Sequence, residues 1–139
     1  MGLVYADIEL INGDDLALRR RGIIEEKEIK RTNIRAMVDS GAYMLAINET
    51  IKNQLELPVI DRSPAVLADG SVIQLEIVGP VEVRFANRRT TVDAMVLPGN
   101  NEVLLGAIPL EGMDVLIDPL RQQLIVNPEH PIKPQFSLK

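Results

Sequence analysis

From Pro58 to Val126 the sequence consists of short apolar runs separated by Gly, Pro, Asn and Asp, and helix signals are almost absent. Residues 80–85 alternate apolar and charged side chains, which is the period of a half-buried strand. Asp69-Gly70, a dipeptide favoured in tight hairpin turns, joins the predicted strands Pro64–Leu67 and Val72–Ile77. Short strands joined by Gly and Pro turns are typical of sandwiches and barrels, so the sequence predicts an all-β fold.

The first half of the chain adds two predicted strands and one helix. The strands are Val4–Leu10 and Thr32–Val38, and Asn48 is a predicted N-cap for a helix over Glu49–Leu55. The charged residues 16–33 predict a long hairpin or loop between the two strands. The later elements are a short strand over Val103–Leu105, one or two helical turns over Pro109–Leu116 and a last strand over Gln123–Val126.

Composition removes several classes of function. The chain has 139 residues, enough for one domain, and it contains no Cys, which excludes disulfides, thiolate nucleophiles and zinc–thiolate sites. A net charge of -5 and an aromatic content of 3% do not suit nucleic-acid binding. No apolar stretch is long enough to cross a membrane, and the first residues lack the basic lead of a secretion signal. We therefore expect a cytoplasmic protein with no nucleic-acid or membrane partner.

One carboxylate stands in an unusual setting. Asp39 follows the apolar residues that end at Val38 and begins the turn sequence Asp39-Ser40-Gly41-Ala42. A carboxylate beside apolar neighbours is costly unless its charge is held or used. The single His130 lies in a Pro-rich tail without a second His to share a metal ion, and no stretch has the closely spaced acids of a calcium loop. We therefore expect no metal and no cofactor, and chemistry limited to carboxylates, hydroxyls and the backbone.

Three segments carry a pattern: Val38–Ala42, Val66–Ser71 and Leu104–Gly106. In this order they resemble the retropepsin-like aspartic proteases, the family of retroviral and retrotransposon proteases and their cellular relatives. The resemblance covers roughly residues 34 to 127, whereas 14–33 and the tail carry no motif of the family. It implies a catalytic residue, Asp39; an active-site turn of Ser40, Gly41 and Ala42; a flap that contacts substrate, of Ala68, Asp69, Gly70 and Ser71; and support for the active-site turn from Leu104, Leu105 and Gly106.

The same resemblance implies an architecture and a partner. The fold would be a closed β-barrel with one or two short helices, and the chain would be the single-domain protomer of a homodimer. The protease domain would span residues 1–127, with 14–33 as an insertion and 128–139 as a Pro-rich tail. The chemistry needs two carboxylates, and Asp39 is the only Asp followed by Ser or Thr and then Gly. The second carboxylate would therefore be Asp39 of another copy, and the substrate would be an extended peptide.

Two other interpretations fit the same residues. The chain can be a catalytically inactive dimerisation or peptide-binding module on this fold, because a peptide groove remains useful after its chemistry is lost. It can also be an unrelated β-barrel in which Asp39 is an ordinary turn residue, since Asp, Ser and Gly are common in turns.

Overall fold

The computed structural model describes residues 3–138 and consists mainly of strands. The all-β class is confirmed at this level: strands dominate, and the helices are few and short. Within the described residues the strands are β1 Val4–Asn12, β2 Arg31–Val38, β3 Leu45–Asn48, β4 Val59–Val66, β5 Val72–Phe85, β6 Arg88–Leu97, β7 Leu104–Leu105, β8 Val115–Asp118 and β9 Gln123–Val126. The helices are α1 Gly13–Arg20, α2 Glu49–Gln54 and α3 Ala107–Met113, with one 3-10 turn at Glu26–Glu28.

Seven strands form one sheet in the order β1-β2-β7-β3-β6-β5-β4, and β8 and β9 form a separate antiparallel pair. Strand β1 also pairs with β5, where Leu10 lies opposite Val83, so the hydrogen-bonded strands lead back to β1. Most neighbours are antiparallel, but β2 runs parallel to β7 and β3 runs parallel to β6. The short strand β7 therefore lies in the middle of the sheet, between β2 and β3.

The buried core is aliphatic. Alternate residues of the strands point into it, and Leu10, Leu45 and Leu105 have no exposed surface. The helices close it, with Leu55 following α2 and Met113 ending α3, both fully buried. The apolar residues that alternate with charged ones over 80–85 thus lie on the face of strand β5 that packs into the core and is removed from water.

Residues 16–33 differ from the predicted hairpin or loop, because helix α1 occupies Gly13–Arg20. The side chain of Asn12 caps this helix by accepting a hydrogen bond from the amide of Asp15 at 3.1 Å. Acidic residues in the first turn and Arg19 and Arg20 in the last turn suit the helix dipole. These charges therefore stabilise the two ends of a helix and do not mark a loop.

The C-terminal third contains a strand, β8, whose first two residues the sequence predicts as helical. Helix α3 ends at Met113, because Asp114 adopts the left-handed conformation with φ of 54°. Strand β8 follows at once, so the predicted helical turns over Pro109–Leu116 were too long. The other predicted helix is confirmed: the Asn48 side chain accepts a hydrogen bond from the amide of Ile51 at 2.9 Å and caps α2.

The tail is held against the rest of the chain by polar contacts. Asp114 accepts hydrogen bonds from the side chain of Asn127 at 3.0 Å and from the amide of Gln135 at 3.1 Å. His130, expected only as a tail residue, places Nδ1 2.7 Å from the Asp114 carboxylate. Asn87 donates to the carbonyl oxygen of Pro131 at 2.9 Å. Asp114 is therefore the common partner of Asn127 and of two tail residues, His130 and Gln135. No helix in residues 3–138 has the length and apolar character needed to span a bilayer.

Candidate active site

The turn that carries Asp39 is attached to strand β7 through the backbone. Strand β2 delivers Asp39 and pairs with β7 so that Val38 lies opposite Leu105. The amide of Asp39 then donates to the carbonyl oxygen of Leu105 at 3.0 Å, and the amide of Ala42 donates to the carbonyl oxygen of Asp39 at 3.0 Å. The turn is consequently closed on itself and joined to a strand from a distant part of the sequence.

The residues that follow β7 hold the other side of this turn. The amide of Ala107 donates to the carbonyl oxygen of Ala42 at 2.8 Å, and the amide of Ile108 donates to that of Tyr43 at 3.0 Å. Gly106 packs directly against this backbone: a Cβ there would overlap the carbonyl oxygen of Met44 and lie 2.9 Å from that of Ala42. The structure therefore brings Ser40–Ala42 and Leu104–Gly106, two of the three predicted segments, into direct contact.

The Asp39 carboxylate is only partly engaged. Its Oδ1 accepts a hydrogen bond from the amide of Gly41 at 3.0 Å, and no residue among 3–138 donates to Oδ2. Gly41 does not have a positive φ, so the turn does not require the conformational freedom of glycine at this position. A Cβ at Gly41 would instead lie 3.2 Å from Oδ1, so its missing side chain leaves room for the carboxylate. A half-exposed carboxylate with one free oxygen can accept a proton from a bound water molecule.

Asp39 lies in a cleft of about 270 Å³ between β1, β2 and the β8–β9 hairpin. The sequence does not predict this contribution of the β8–β9 hairpin to the cleft. The Asp118 carboxylate forms this turn by accepting hydrogen bonds from the amides of Leu120 at 3.1 Å and Arg121 at 3.3 Å. The cleft is mixed apolar and polar, lined by Leu3, Val4, Val38, Asp39, Ser40, Ile117, Pro119 and Gln122.

The third predicted segment forms the tip of the β4–β5 hairpin. The expected two-residue turn is a three-residue loop, Ala68–Gly70, because Leu67 and Ser71 still pair through a 2.8 Å hydrogen bond. Gly70 has φ of 86°, the left-handed conformation that closes such loops. The Ser71 hydroxyl and amide donate to Asp69 at 2.6 and 2.9 Å and hold the pKa of this carboxyl below its usual value. The loop is thus ordered by its own side chains.

The hairpin carries exposed apolar side chains but is not attached to the Asp39 turn. Val66 and Val72, on either side of the loop, are 73% and 59% exposed. In the described part of the chain no hydrogen bond joins residues 68–71 to residues 39–42. Residues 3–138 contain no group of three or more His, Cys, Asp or Glu side chains that could hold a metal ion.

A comparison with known protein families gives one match that includes all three predicted segments. A family model described as "gag-polyprotein putative aspartyl protease" matches residues 26–116, which is more than half of the chain. The matched range includes Asp39, the β4–β5 hairpin and strand β7. No curated protein was found to match the chain. The chain therefore belongs to the gag-polyprotein aspartyl protease family, which is retropepsin-like.

Proposed function

We propose that this protein is an aspartic endopeptidase that acts as a homodimer, with Asp39 of each subunit forming the catalytic pair. The observation that carries the proposal is the setting of Asp39: a half-exposed carboxylate with one unengaged oxygen, in a cleft, on a turn fixed by Leu105. The family match covers this turn. One Asp-Ser-Gly in the chain supports an isologous arrangement, in which a twofold axis brings the same residue of both copies together.

Two carboxylates brought this close cannot both ionise freely. Like charges about 4 Å apart at an effective dielectric constant of about 20 repel by roughly 4 kcal/mol. The pair therefore retains one proton over a wide pH range, a property that is established for aspartic proteases in general. In this proposal one Asp39 is the base and its copy is the acid.

The reaction then requires no covalent intermediate. The ionised Asp39 takes a proton from a water molecule bound between the two carboxylates, and this water attacks the carbonyl carbon of the scissile peptide bond. The protonated Asp39 donates a hydrogen bond to the carbonyl oxygen as negative charge develops on it. When the tetrahedral intermediate collapses, the C–N bond breaks, the Asp39 that took the proton from water donates it to the leaving nitrogen, and two peptides are released.

The remaining predicted residues receive supporting roles. Ser40 is exposed in the protomer, so its hydroxyl is accessible to the second copy and can brace the two turns. Leu104 and Leu105 hold the turn from β7, and Gly106 permits its close approach. The exposed apolar side chains beside Ala68–Ser71 suit a flap that closes over an extended peptide and excludes water.

The finer architecture belongs to the same proposal. Pairing of β1 with β5 supports a closed β-barrel for the protomer. We assign residues 1–127 to the protease domain, with an insertion at 14–33, and residues 128–139 to a tail docked on that domain through Asp114.

The decisive experiment compares wild type with Asp39→Asn and a matched control, Asp7→Asn, which changes an exposed carboxylate on β1. We expect Asp39→Asn to cleave no peptide of a peptide library and Asp7→Asn to cleave the same peptides as wild type at the same rate. Replacing half of the wild type by Asp39→Asn at constant total protein tests the shared site: the rate falls to about a quarter if both carboxylates are needed and to about half if each subunit acts alone. Sedimentation equilibrium reports whether the dimer forms.

Two results would overturn the proposal. Substantial cleavage by purified Asp39→Asn would show that Asp39 is not catalytic. An inert wild type that binds the same peptides as Asp39→Asn would identify an inactive peptide-binding module instead.

A further inference from the structure

A second cavity lies away from Asp39, between the β5–β6 turn and the C-terminal tail. Its volume is about 540 Å³, within the range of small-molecule sites. We call it the basic pocket, because four of its lining residues are cationic: Arg84, Arg88, Arg89 and Lys133, together with Ala86, Asn87 and Pro134.

Arg88 is the unusual member of this pocket. Its side chain has no exposed surface, which is rare for a guanidinium group. Nη2 donates to the carbonyl oxygen of His130 and lies 4.0 Å from the Asp114 carboxylate. No acceptor in residues 3–138 receives a hydrogen bond from Nε or Nη1. Buried donors without partners are costly, so this guanidinium is only partly satisfied by the described chain.

The charges around the pocket do not cancel. The buried Glu82 carboxylate lies 2.6 Å from Arg84 and 3.6 Å from Arg89, so a single negative charge serves both cations. Asp114 is the only carboxylate within 4.0 Å of Arg88 in the described chain, and it is shared with His130. Lys133 forms no ion pair within the described residues. Two positive charges therefore remain uncompensated here, although the chain carries a net charge of -5.

We propose that the basic pocket binds a small doubly charged oxyanion of the phosphate or dicarboxylate class. Arg89 and Lys133, both exposed, contact it at the mouth, and the buried Arg88 guanidinium adds a fixed positive charge. Guanidinium groups match oxyanions well because their planar N–H donors form paired hydrogen bonds. Two uncompensated cations match two negative charges on the ligand. The site uses none of the residues around Asp39, and the inference does not depend on the proposed protease activity.

The test is a titration of ¹⁵N-labelled protein with inorganic phosphate at about pH 7.5, where phosphate is mostly doubly charged. Ionic strength is held constant with sodium chloride. The expected result is saturable chemical-shift change confined to the amides of 86–89 and 133. Arg89→Gln and Lys133→Gln each remove one exposed cation and are expected to weaken binding about tenfold. Arg20→Gln removes an exposed cation on α1, outside the pocket, and is expected to leave binding unchanged.

A parallel titration with succinate distinguishes the two ligand sources, because the tighter of the two anions identifies a phosphoryl or a dicarboxylate ligand. The inference is overturned if neither anion gives saturable shifts at 86–89 and 133. It is also overturned if Arg89→Gln and Lys133→Gln bind as tightly as Arg20→Gln, since binding would then reflect general attraction to surface cations.

Discussion

The amide of Asp39 donates its hydrogen bond to the carbonyl oxygen of Leu105, at 3.0 Å. Asp39, which directly follows β2, is thereby positioned by the two-residue strand β7, which follows β6 in the sequence. Because Gly106 follows Leu105 and packs on the same turn, the position of the carboxylate depends on backbone contacts rather than on side chains.

The close approach at Gly106 gives the first prediction. Gly106→Ala introduces a Cβ that overlaps the carbonyl oxygen of Met44, so the backbone must move. We expect the free energy of unfolding to fall by about 1–3 kcal/mol, the usual cost of overpacking. Urea unfolding followed by circular dichroism measures this, since the chain has no Trp for fluorescence. Gly41→Ala is the control, because its new Cβ meets only the movable Asp39 carboxylate at 3.2 Å. Equal unfolding free energies for both variants would contradict the prediction.

The second prediction concerns Asn12, a buried side chain with two roles. It caps α1 through the amide of Asp15 and donates from Nδ2 to the carbonyl oxygen of Leu55 at 2.8 Å. Asn12→Ala removes both bonds and is expected to cost about 2–3 kcal/mol of unfolding free energy. Asn48→Ala, which removes the more exposed cap of α2, is expected to cost about 1 kcal/mol. A cost for Asn12→Ala no larger than that for Asn48→Ala would disprove the buried role.

The third prediction is a pH dependence set by Asp114. Hydrogen bonds from Asn127, from the Gln135 amide and from His130 lower the pKa of this carboxyl from 3.8 to about 2. A depressed folded-state pKa stabilises the fold at pH values above the unfolded pKa, and this contribution is lost as the pH falls towards about 2. Arg88, 4.0 Å away, is the other charged group facing Asp114.

Asp114→Asn tests this directly, because Asn tolerates the left-handed conformation found at position 114. The difference in unfolding free energy between wild type and Asp114→Asn is expected to be largest above about pH 5 and to shrink steadily below about pH 4. Asp7→Asn serves as the comparison, because it changes an exposed carboxylate on β1. A difference between wild type and Asp114→Asn that stays constant from neutral to acidic pH would rule out this linkage.

The fourth prediction rests on the proposed protease activity and concerns Gly70. Its φ of 86° is unfavourable for a β-branched residue, and no atom within 4 Å would contact a new Cβ. Gly70→Val should therefore cost only about 1–2 kcal/mol of stability, yet lower turnover at least about tenfold by stiffening or reshaping the flap. Gly22→Val, at an exposed glycine with φ of 74°, controls for backbone strain alone. Turnover that falls equally in both variants would remove the flap assignment.

Patterns confined to neighbouring residues predicted much of the fold. Alternation predicted the strand over residues 80–85, which is part of β5, and the Asn48 cap predicted α2, because both signals depend on a few adjacent side chains. Helix α1 had a comparable cap at Asn12, but its dense charges resembled those of a loop, and the helix was not predicted.

Contacts between distant residues could not be obtained in this way. The hydrogen bond from Asp39 to Leu105, the contacts of the tail with Asp114 and the β8–β9 wall of the cleft all depend on topology. The resemblance gave the order of the active-site segments. It did not reveal that Gly41 makes room for a carboxylate or that Arg88 is buried.

The segment between β1 and β2 leaves and re-enters the sheet at one place. The amide of Asn12 donates to the carbonyl oxygen of Lys30 at 2.9 Å, and Ile11 lies opposite Arg31 in the next pair. Lengthening a surface loop whose ends are already joined adds little entropic cost. Residues 20–23, exposed at the end of helix α1, are therefore a permissive insertion point, whereas the buried Asp15 and Ile29 belong to the fold. A tag or a binding peptide inserted there leaves unchanged the register that delivers Asp39.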